Sequence, residues 1–156
     1  MTPSPRQVNW FLMMKLPAAF FCGVRVKSLS GTACITTVRH RWINQNPFRS
    51  MYFAVQSMAG ELSTGALLFS QISATKSAVS MLVVSNKAAY FKKATGQIEF
   101  RCNDGQTVAE AISKAIETGE SQIIVLKSVG KNRFGETVSE MEFEWSVKPK
   151  SSLNLP

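Results

Sequence analysis

One acidic residue, Glu61, is singled out by its surroundings, because it is the only formal charge between Ser50 and Thr75. A lone carboxylate inside an apolar helix costs several kcal/mol unless it is paired, hydrated or protonated. That cost indicates a reason beyond folding, and a pocket on the Glu61 face of the helix would supply one. The structural alternative is a glutamate bonded to a backbone group or to a neighbouring arginine at the helix surface.

The start of the same helix offers a second group that can do chemistry. Its first amides, expected to be those of Phe53 and Ala54, are unpaired, and with the positive end of the helix dipole they suit a developing oxyanion. Ala54 and Glu61 are seven residues apart, which is nearly two helical turns, so they lie on one face. Every helix has such an end, and the specificity comes only from its combination with Asn46 upstream and Glu61 downstream.

The spacing of these residues resembles that of the hotdog-fold acyl-CoA thioesterases, in particular the phenylacetate-pathway type. That pattern has an Asn, then His-Gly-Gly six residues later, then an Asp or Glu seven residues after the second Gly. Here Asn46 stands six residues before Tyr52-Phe53-Ala54, and Glu61 follows Ala54 by seven. With Tyr-Phe-Ala in place of His-Gly-Gly, the chain looks like an uncharacterised bacterial branch of hotdog thioesterase-like proteins. The closing strand FEWSVKPKS and a helix expected at 106–118 fit that branch, and the resemblance spans about residues 10–150.

The resemblance implies a role for each matched position. Glu61 would be the general base or the nucleophile of thioester hydrolysis. Asn46 would orient the attacking water or the carbonyl. The amides of Phe53 and Ala54 would form the oxyanion hole.

Residues around these positions are expected to bind the substrate. Thr64, one turn past Glu61, would bond the carboxylate. Tyr52 would replace the missing His as a donor through its hydroxyl, or it would be a core aromatic. The depth of the acyl pocket would depend on the packing of large apolar side chains, namely Phe48, Phe53, Met58, Leu62 and Phe91.

The chain is strongly basic, with 18 Lys and Arg against 10 Asp and Glu and a net charge of +8. Residues 1–50 carry seven cations and no carboxylate, whereas residues 104–150 carry eight acids against six bases. One face or end is therefore expected to be basic, which suits nucleic acid, an anionic membrane or a phosphorylated small molecule. On the thioesterase resemblance, the phosphates of coenzyme A are expected to contact Lys92, Lys93 and Arg101. Coenzyme A would enter as part of the substrate, with no other cofactor.

Nucleic acid is the competing partner for this charge. Basic residues flank Tyr90 and Phe91 in the sequence, namely Lys87, Lys92, Lys93 and Arg101. Such interleaving of basic and aromatic residues can bind single strands, but the cations are not clustered as in a recognition helix. We therefore expect a thioester of coenzyme A or acyl carrier protein as the partner, rather than nucleic acid or membrane. A non-catalytic acyl-CoA-binding module that kept the pocket and lost turnover is the main alternative.

The single histidine and the three cysteines of the sequence do not indicate a metal site. His40 is the only histidine, and it is expected at a surface strand position rather than in catalysis. The cysteines, Cys22, Cys34 and Cys102, are odd in number and have no CxxC spacing, so neither a disulfide framework nor a zinc site is predicted. They are interpreted as buried small hydrophobes in a reducing compartment, and the protein is expected in the cytoplasm.

The elements that must position these residues follow from the hydrophobic pattern. A hairpin is predicted from Gly23 to Val38, with its turn at Ser30-Gly31. A long helix, apolar on all faces and therefore buried, is predicted from Met51 to about Ile72, with Ser50 as its cap. Further strands are predicted at 81–91, 98–102, 123–127 and 141–147, with a small helix near 107–118.

Two of these elements carry detailed predictions. The small helix is expected to start with a capping box of Thr107 and Glu110 and to stop at Gly119. Its apolar stripe would consist of Val108, Ile112 and Ile116. In the last strand one face would be formed by Met141, Phe143, Trp145 and Val147, and the other by Glu140, Glu142 and Glu144.

The segment Trp10–Cys22 is apolar enough to be considered as a secretion leader. Lys15 and Pro17 interrupt it, and large Phe residues stand where small cleavage-site residues are needed. A short helix that covers the core is therefore predicted there.

The chain of 156 residues is expected to form one α+β domain over 1–156. A single antiparallel sheet wrapped around the long helix satisfies the order of elements, and it is the hotdog fold that the resemblance implies. The core would span about 10–150, with flexible ends at 1–8 and 149–156. A homodimer or homotetramer is expected, with Glu61 of one subunit beside the helix start of another.

Overall fold

The computed structural model describes residues 3–150. Within them the helices are α1 (Pro5–Lys15), α2 (Pro17–Phe21), α3 (Phe53–Ala74) and α4 (Gly105–Thr118). The strands are β1 (Arg25–Leu29), β2 (Cys34–Arg39), β3 (Val79–Tyr90), β4 (Gln97–Cys102), β5 (Gln122–Asn132) and β6 (Thr137–Pro149). A single 3-10 turn, Trp42–Asn44, lies between β2 and α3.

The strands form one six-stranded antiparallel sheet in the order β1-β2-β4-β5-β6-β3. The helix α3 packs across the inner face of this sheet and contacts every one of its strands. The predicted α+β arrangement, a sheet wrapped against a long helix, is confirmed. The strand β3 lies at one edge of the sheet, where β6 is its neighbour.

The helix α3 is buried on nearly all sides, as its composition predicts. Thirteen of its 22 residues are buried, and small residues allow it to approach the sheet. A Cβ atom on Gly60 would lie only 2.7 Å from the Met141 sulfur. The helix begins at Phe53 after Tyr52, which makes no side-chain capping bond. The prediction that Ser50 caps it is wrong, because the Ser50 hydroxyl bonds the side chain of Asn46 instead.

Period-two alternation places the inner face of the sheet as predicted. The buried residues of β4 are Ile98, Phe100 and Cys102. Those of β6 are Met141, Phe143, Trp145 and Val147, together with Val138 and Ser139 near its start. The glutamates of β6 project to the outer face. The core of the molecule therefore lies between α3 and these strands.

The small helix α4 departs from the prediction at its start. It begins at Gly105, so Thr107 already lies inside the first turn and no capping box with Glu110 forms. The side chain of Asp104, at the cap position, accepts from the Lys127 amide of β5 at 2.6 Å instead. The predicted stop at Gly119 is confirmed by its left-handed φ of 73°. The buried face consists of Val108, Ala111, Ile112 and Ala115, whereas Ile116 is 37% exposed and is not part of it.

The N-terminal segment forms two helices rather than one, because Pro17 ends the first and begins the second. Leu12 of α1 is fully buried, so the predicted helical cover over the core is confirmed. Ser4 and Gln7 form a capping box at the start of α1, and the flexibility expected for residues 1–8 stays a prediction. At the other end Pro149 closes β6 and the Lys150 amide bonds Ala78. Residues 1–2 and 151–156 lie outside the described residues.

Across residues 3–150, none of the helices combines the length and the apolar character that a membrane crossing requires.

Candidate functional site

A cleft of about 770 Å³ opens at the start of α3. Its walls are the loop 45–52, the first turn of α3, and the end of β3 with the residues that follow it. The structure brings together here several residues predicted from the sequence, namely Asn46, Phe48, Tyr52, Phe53 and Phe91. The cleft is therefore the candidate binding site for an apolar group.

The first two amides of α3 have no partner among the described residues. Within residues 3–150 neither the Phe53 nor the Ala54 amide donates to a protein acceptor. The next two amides, of Val55 and Gln56, donate to the Tyr52 carbonyl at 3.0 and 3.4 Å. The two free N–H groups at the positive end of the helix suit an oxyanion.

The side chain of Asn46 shapes the loop that precedes α3. Its Oδ1 accepts from the amides of Phe48 and Ser50 at 2.9 and 3.2 Å. Its Nδ2 donates to the Ser50 hydroxyl at 3.1 Å and to the Met51 carbonyl at 3.4 Å. Arg49 is held in the left-handed region at a φ of 58° within the same loop. Both the Oδ1 and the Nδ2 atoms of Asn46 therefore form hydrogen bonds within the loop. The predicted role of Asn46 in orienting a water molecule or the carbonyl stays a prediction.

Glu61 lies half-buried two turns further along α3, and its carboxylate has no hydrogen-bond or ion-pair partner within residues 3–150. The alternative of a bonded structural glutamate is therefore not what the structure shows. Burial raises the pKa of Glu61 above its ordinary value. Its Oε1 atom occupies space left by Gly65, where a Cβ atom would lie 3.1 Å from that oxygen and 3.1 Å from the Trp145 ring. An unpartnered carboxylate of raised pKa is a candidate proton acceptor.

The predicted bond from Thr64 to this carboxylate is wrong. The Thr64 hydroxyl donates to the main-chain carbonyl of Glu61 at 2.9 Å and accepts from the Trp145 indole N–H at 3.1 Å. Thr64 is fully buried by these contacts and cannot reach substrate. A Thr inside a helix commonly bonds the preceding turn in this way. Met58, also predicted to bind substrate, is half-buried and packs against the core.

The predicted set of phosphate-binding cations is divided by the fold. Lys92 and Lys93 line the cleft, but Lys92 is paired with Glu136 at 2.5 Å. Lys93 donates to the Phe48 carbonyl at 3.3 Å. Arg101 projects from β4 on the outer face of the sheet, in a separate depression that also includes Arg39. The three cations therefore do not form one site, because two strands, β5 and β6, separate β4 from β3.

Two residues next to the site, Ser57 and Tyr90, were not among the predicted site residues. The Tyr90 hydroxyl, from the end of β3, lies 3.1 Å from the Ser57 hydroxyl of α3. Ser57 is four residues before Glu61 and four after Phe53, so the helical spacing places it on their face. The edge of the Tyr90 ring packs on Phe53, with centroids 6.1 Å apart. The spacing could have identified Ser57, but nothing local to Tyr90 could have indicated its partner.

His40 does not occupy the exposed strand position predicted for it. It follows the end of β2, is half-buried, and its Nε2 atom has no hydrogen-bond partner within residues 3–150. Cys34 and Cys102 are fully buried opposite each other on β2 and β4, whereas Cys22 is only half-buried. Among the described residues no three side chains of His, Cys, Asp or Glu come together as a metal site.

The sequence was compared with protein families and with curated proteins. A family profile described as a domain of unknown function, DUF4442, matches residues 5–147. A search of curated proteins finds no match to the chain.

Solved structures resemble the chain over nearly its full length. A Pseudomonas aeruginosa protein of unknown function, described as a probable thioesterase, matches with a TM-score of 0.80 and 21% identity, covering 96% of this chain and 99% of that one. A Haemophilus influenzae thioesterase matches with a TM-score of 0.69 and 12% identity, covering 96% and 93%. A thioesterase family protein from Silicibacter pomeroyi matches with a TM-score of 0.68 and 14% identity, covering 93% and 98%. At these identities the likeness shows the fold, and the predicted hotdog fold is confirmed.

Proposed function

The chain belongs to the DUF4442 family, and from this premise and its fold we propose that it hydrolyses acyl thioesters of coenzyme A or acyl carrier protein. The observation that carries the proposal is a buried Glu61 carboxylate without a partner among the described residues. The helix that carries it begins at an apolar cleft with two amides that have no acceptor, those of Phe53 and Ala54. The spacing of Asn46, Tyr52-Phe53-Ala54 and Glu61 supports a relation to the phenylacetate-pathway type of thioesterase.

The proposed reaction uses Glu61 as a general base. Its carboxylate takes a proton from a water molecule, whose oxygen forms a bond to the thioester carbonyl carbon. The carbonyl oxygen becomes an oxyanion stabilised by the amides of Phe53 and Ala54. When the carbon–sulfur bond breaks, the thiolate leaves with the proton that Glu61 holds, and the carboxylic acid is released. Direct attack by Glu61, with hydrolysis of the resulting anhydride, is the alternative order of events.

The site that we propose is shared between two subunits. Glu61 lies seven residues, or on the order of 10 Å, along α3 from the Ala54 amide, so one carbonyl group cannot contact both on the same chain. The 12 residues of β3 present a free sheet edge, at which a second copy can add its own β3. Antiparallel pairing about a two-fold axis would bring Glu61 of one subunit beside the start of α3 in the other.

The test of the reaction is Glu61→Gln, which keeps the shape of the side chain and removes its basicity. Hydrolysis of a panel of short, medium and aromatic acyl-CoA thioesters should fall by at least about 100-fold, since general bases typically contribute that much. Glu117→Gln, at an exposed position of α4, is the matched control and should keep wild-type rates.

Equal turnover by wild type and Glu61→Gln would remove Glu61 from the mechanism. Wild-type protein that binds coenzyme A but hydrolyses no member of the panel would instead be a non-catalytic binding module. Tight binding to single-stranded oligonucleotides without binding to coenzyme A would favour a nucleic-acid function. Mixing Glu61→Gln with Asn46→Ala, whose loop before α3 is damaged, should restore activity at one of the two sites in each heterodimer.

A further inference from the structure

Arg25 is fixed at the turn between α2 and β1. Its Nη1 atom donates to the carbonyls of Phe20 and Val24, both at 2.7 Å. Its guanidinium carbon lies 3.6 Å from the centroid of the Phe20 ring. These contacts hold the guanidinium in one place and still leave three of its five N–H donors free.

A second guanidinium, that of Arg41, lies at the same turn. A Cβ atom on Gly23 would be 3.6 Å from the Arg41 Nη2 atom, so the guanidinium lies against this glycine. Burial, and next the positive charge of Arg41, lower the pKa of Arg25. Neither arginine forms an ion pair within residues 3–150, and no carboxylate occurs in the sequence before Glu61.

Two neighbouring guanidiniums without a carboxylate repel each other, and an anion between them would offset that repulsion. Guanidinium groups bind phosphate through paired N–H donors. The side chain of Arg41 is exposed and donates to no protein acceptor within the described residues. The turn is therefore arranged to receive an anion from solvent.

Large exposed aromatic residues flank the two arginines. Trp42 follows Arg41 in the sequence and is 84% exposed. Phe21 is 68% exposed, and its ring packs edge-on at 5.9 Å against Phe20, the ring that Arg25 covers. The Asn44 side chain joins the backbones next to these two aromatic residues. Its Nδ2 donates to the Cys22 carbonyl at 2.9 Å, and its Oδ1 accepts from the Arg41 amide at 2.8 Å. Planar aromatic side chains stack well on nucleic-acid bases. A ligand that carries both a phosphate and a flat heterocycle fits this surface.

We propose that Arg25 and Arg41 bind the phosphates, and Trp42 the adenine ring, of the nucleotide end of coenzyme A. This inference rests on the proposed thioesterase function, since it locates the far end of the same substrate. The turn leads directly to the cleft, because the Asn44 carbonyl accepts from the Tyr52 amide at 2.8 Å, one residue before α3. This site takes the place of the divided set of Lys92, Lys93 and Arg101.

The test is binding of adenosine 3′,5′-bisphosphate, which has the nucleotide but no thioester, measured by calorimetry. Wild type should bind it, and Arg41→Gln should weaken binding by at least about tenfold, as expected for loss of a charged hydrogen-bonding partner. Trp42→Ala should weaken binding to a similar extent, and Trp42→Phe should restore most of it. Lys15→Gln, in the same acid-free segment, and Trp10→Ala, another exposed tryptophan, are the matched controls and should bind as wild type.

Three results would overturn the proposal. The first is a wild type that does not bind the bisphosphate, and the second is an Arg41→Gln protein that binds it as well as wild type. The third is Arg41-dependent binding to phosphatidylglycerol vesicles without binding to the bisphosphate, which would assign the site to a lipid headgroup.

A thioester of N-acetylcysteamine, which lacks the nucleotide, separates this inference from the proposed function. Its hydrolysis should depend on Glu61, and Arg41→Gln should lower kcat/KM for acyl-CoA more than kcat/KM for this thioester. If it and the acyl-CoA panel are not hydrolysed while the bisphosphate still binds through Arg41, the hydrolase proposal fails and the nucleotide site stands.

Discussion

The Glu61 carboxylate has no partner within residues 3–150, and its burial is unfavourable for folding when the group is ionised. Gly65, which has no side chain, leaves the space that the carboxylate occupies next to the Trp145 ring. The indole N–H of Trp145 donates to Thr64 and not to Glu61. Burial therefore favours the protonated acid and raises its pKa. The same property makes it a stronger base for a water molecule, so stability and the proposed reaction place opposite demands on this residue.

The stability of Glu61→Gln should therefore depend on pH in a defined direction. The folded-state pKa of Glu61 is raised above 4.5, its value in the unfolded chain. Below that value the group is protonated in both states and costs nothing, whereas above the raised pKa the folded state must hold an ionised carboxylate. The glutamine variant should unfold a few degrees higher than wild type at pH 7, and the gain should vanish below pH 4.5. Thermal unfolding across this range measures it, and a variant less stable than wild type at pH 7 would contradict the account.

The thiols should differ in reactivity by position. Burial raises the pKa of both Cys34 and Cys102 to about 12, so almost no thiolate forms at neutral pH. Cys22 is half-buried beside the exposed turn after α2. Titration of the native protein with a thiol reagent should therefore modify one cysteine rapidly and the other two only after denaturation. Rapid modification of Cys22→Ser protein would show that the β2–β4 pair opens.

Among single residues, isolation in sequence was enough to predict the unusual setting of Glu61, because a single charge in a long apolar stretch is costly to bury. Its catalytic role stays a prediction. The partners of polar side chains could not be predicted in the same way. Asn46 and Thr64 satisfy their hydrogen bonds within a few residues, and Thr64 also with Trp145, far along the chain. A motif gives the position of a side chain along the chain, but not the atoms that compete for it.

Among the elements, α4 is positioned by a close backbone contact with the β1–β2 turn. A Cβ atom on Gly105 would lie 2.4 Å from both the Gly31 carbonyl oxygen and the Thr32 Cα. The Gln71 side chain of α3 donates to the carbonyls of Gly31 and Gly105 at 2.9 and 2.8 Å. Two helices and a hairpin therefore meet at one point that only glycine can occupy.

Gly105→Ala should consequently destabilise the protein by at least about 2 kcal/mol, because the neighbouring atoms are backbone and cannot move aside. Gly31→Ala is the control, since a Cβ atom there would meet nothing within 4 Å. Urea unfolding followed by circular dichroism compares the two variants. A Gly105→Ala protein as stable as Gly31→Ala would show that the helix start shifts without cost.

Strand faces were predictable because alternation is a local property, which β4 follows throughout and β6 follows from Ser139 to Val147. Helix starts were not. Ser50, named from the sequence as the cap of α3, bonds Asn46 instead. α4 begins at Gly105 rather than at the predicted Thr107, and Asp104 before it bonds the Lys127 amide of β5. The second of these contacts joins residues that are distant in sequence, and no local pattern contains it.

The molecule as a whole has one long strand at the edge of its sheet. The exposed side chains of β3 include Leu82 and Val84, at 67% and 52%. A free apolar edge of this length is a site for pairing with another chain. The order of strands that places β3 there could not be predicted, because it depends on which strands pair across long separations.

Charge at this edge should therefore disrupt the proposed dimer. Leu82→Lys combined with Val84→Lys should yield monomers in sedimentation velocity and should abolish thioesterase activity, because each site would lose the second helix. The control is Ile123→Lys combined with Val125→Lys, two similarly exposed apolar residues on the interior strand β5, which should stay dimeric. An active monomer in either case would place the whole site on one chain.

The position of β3 also affects how the chain folds as it leaves the ribosome. β3 is synthesised before β4, α4 and β5, yet its sheet neighbour within the described chain is β6, which follows all of them. Until then it exposes apolar residues and both of its hydrogen-bonding edges, a state that favours aggregation. We expect nascent chains that stall before β6 to need a chaperone that binds β3. The rate at which β6 is translated should therefore affect the yield of folded protein.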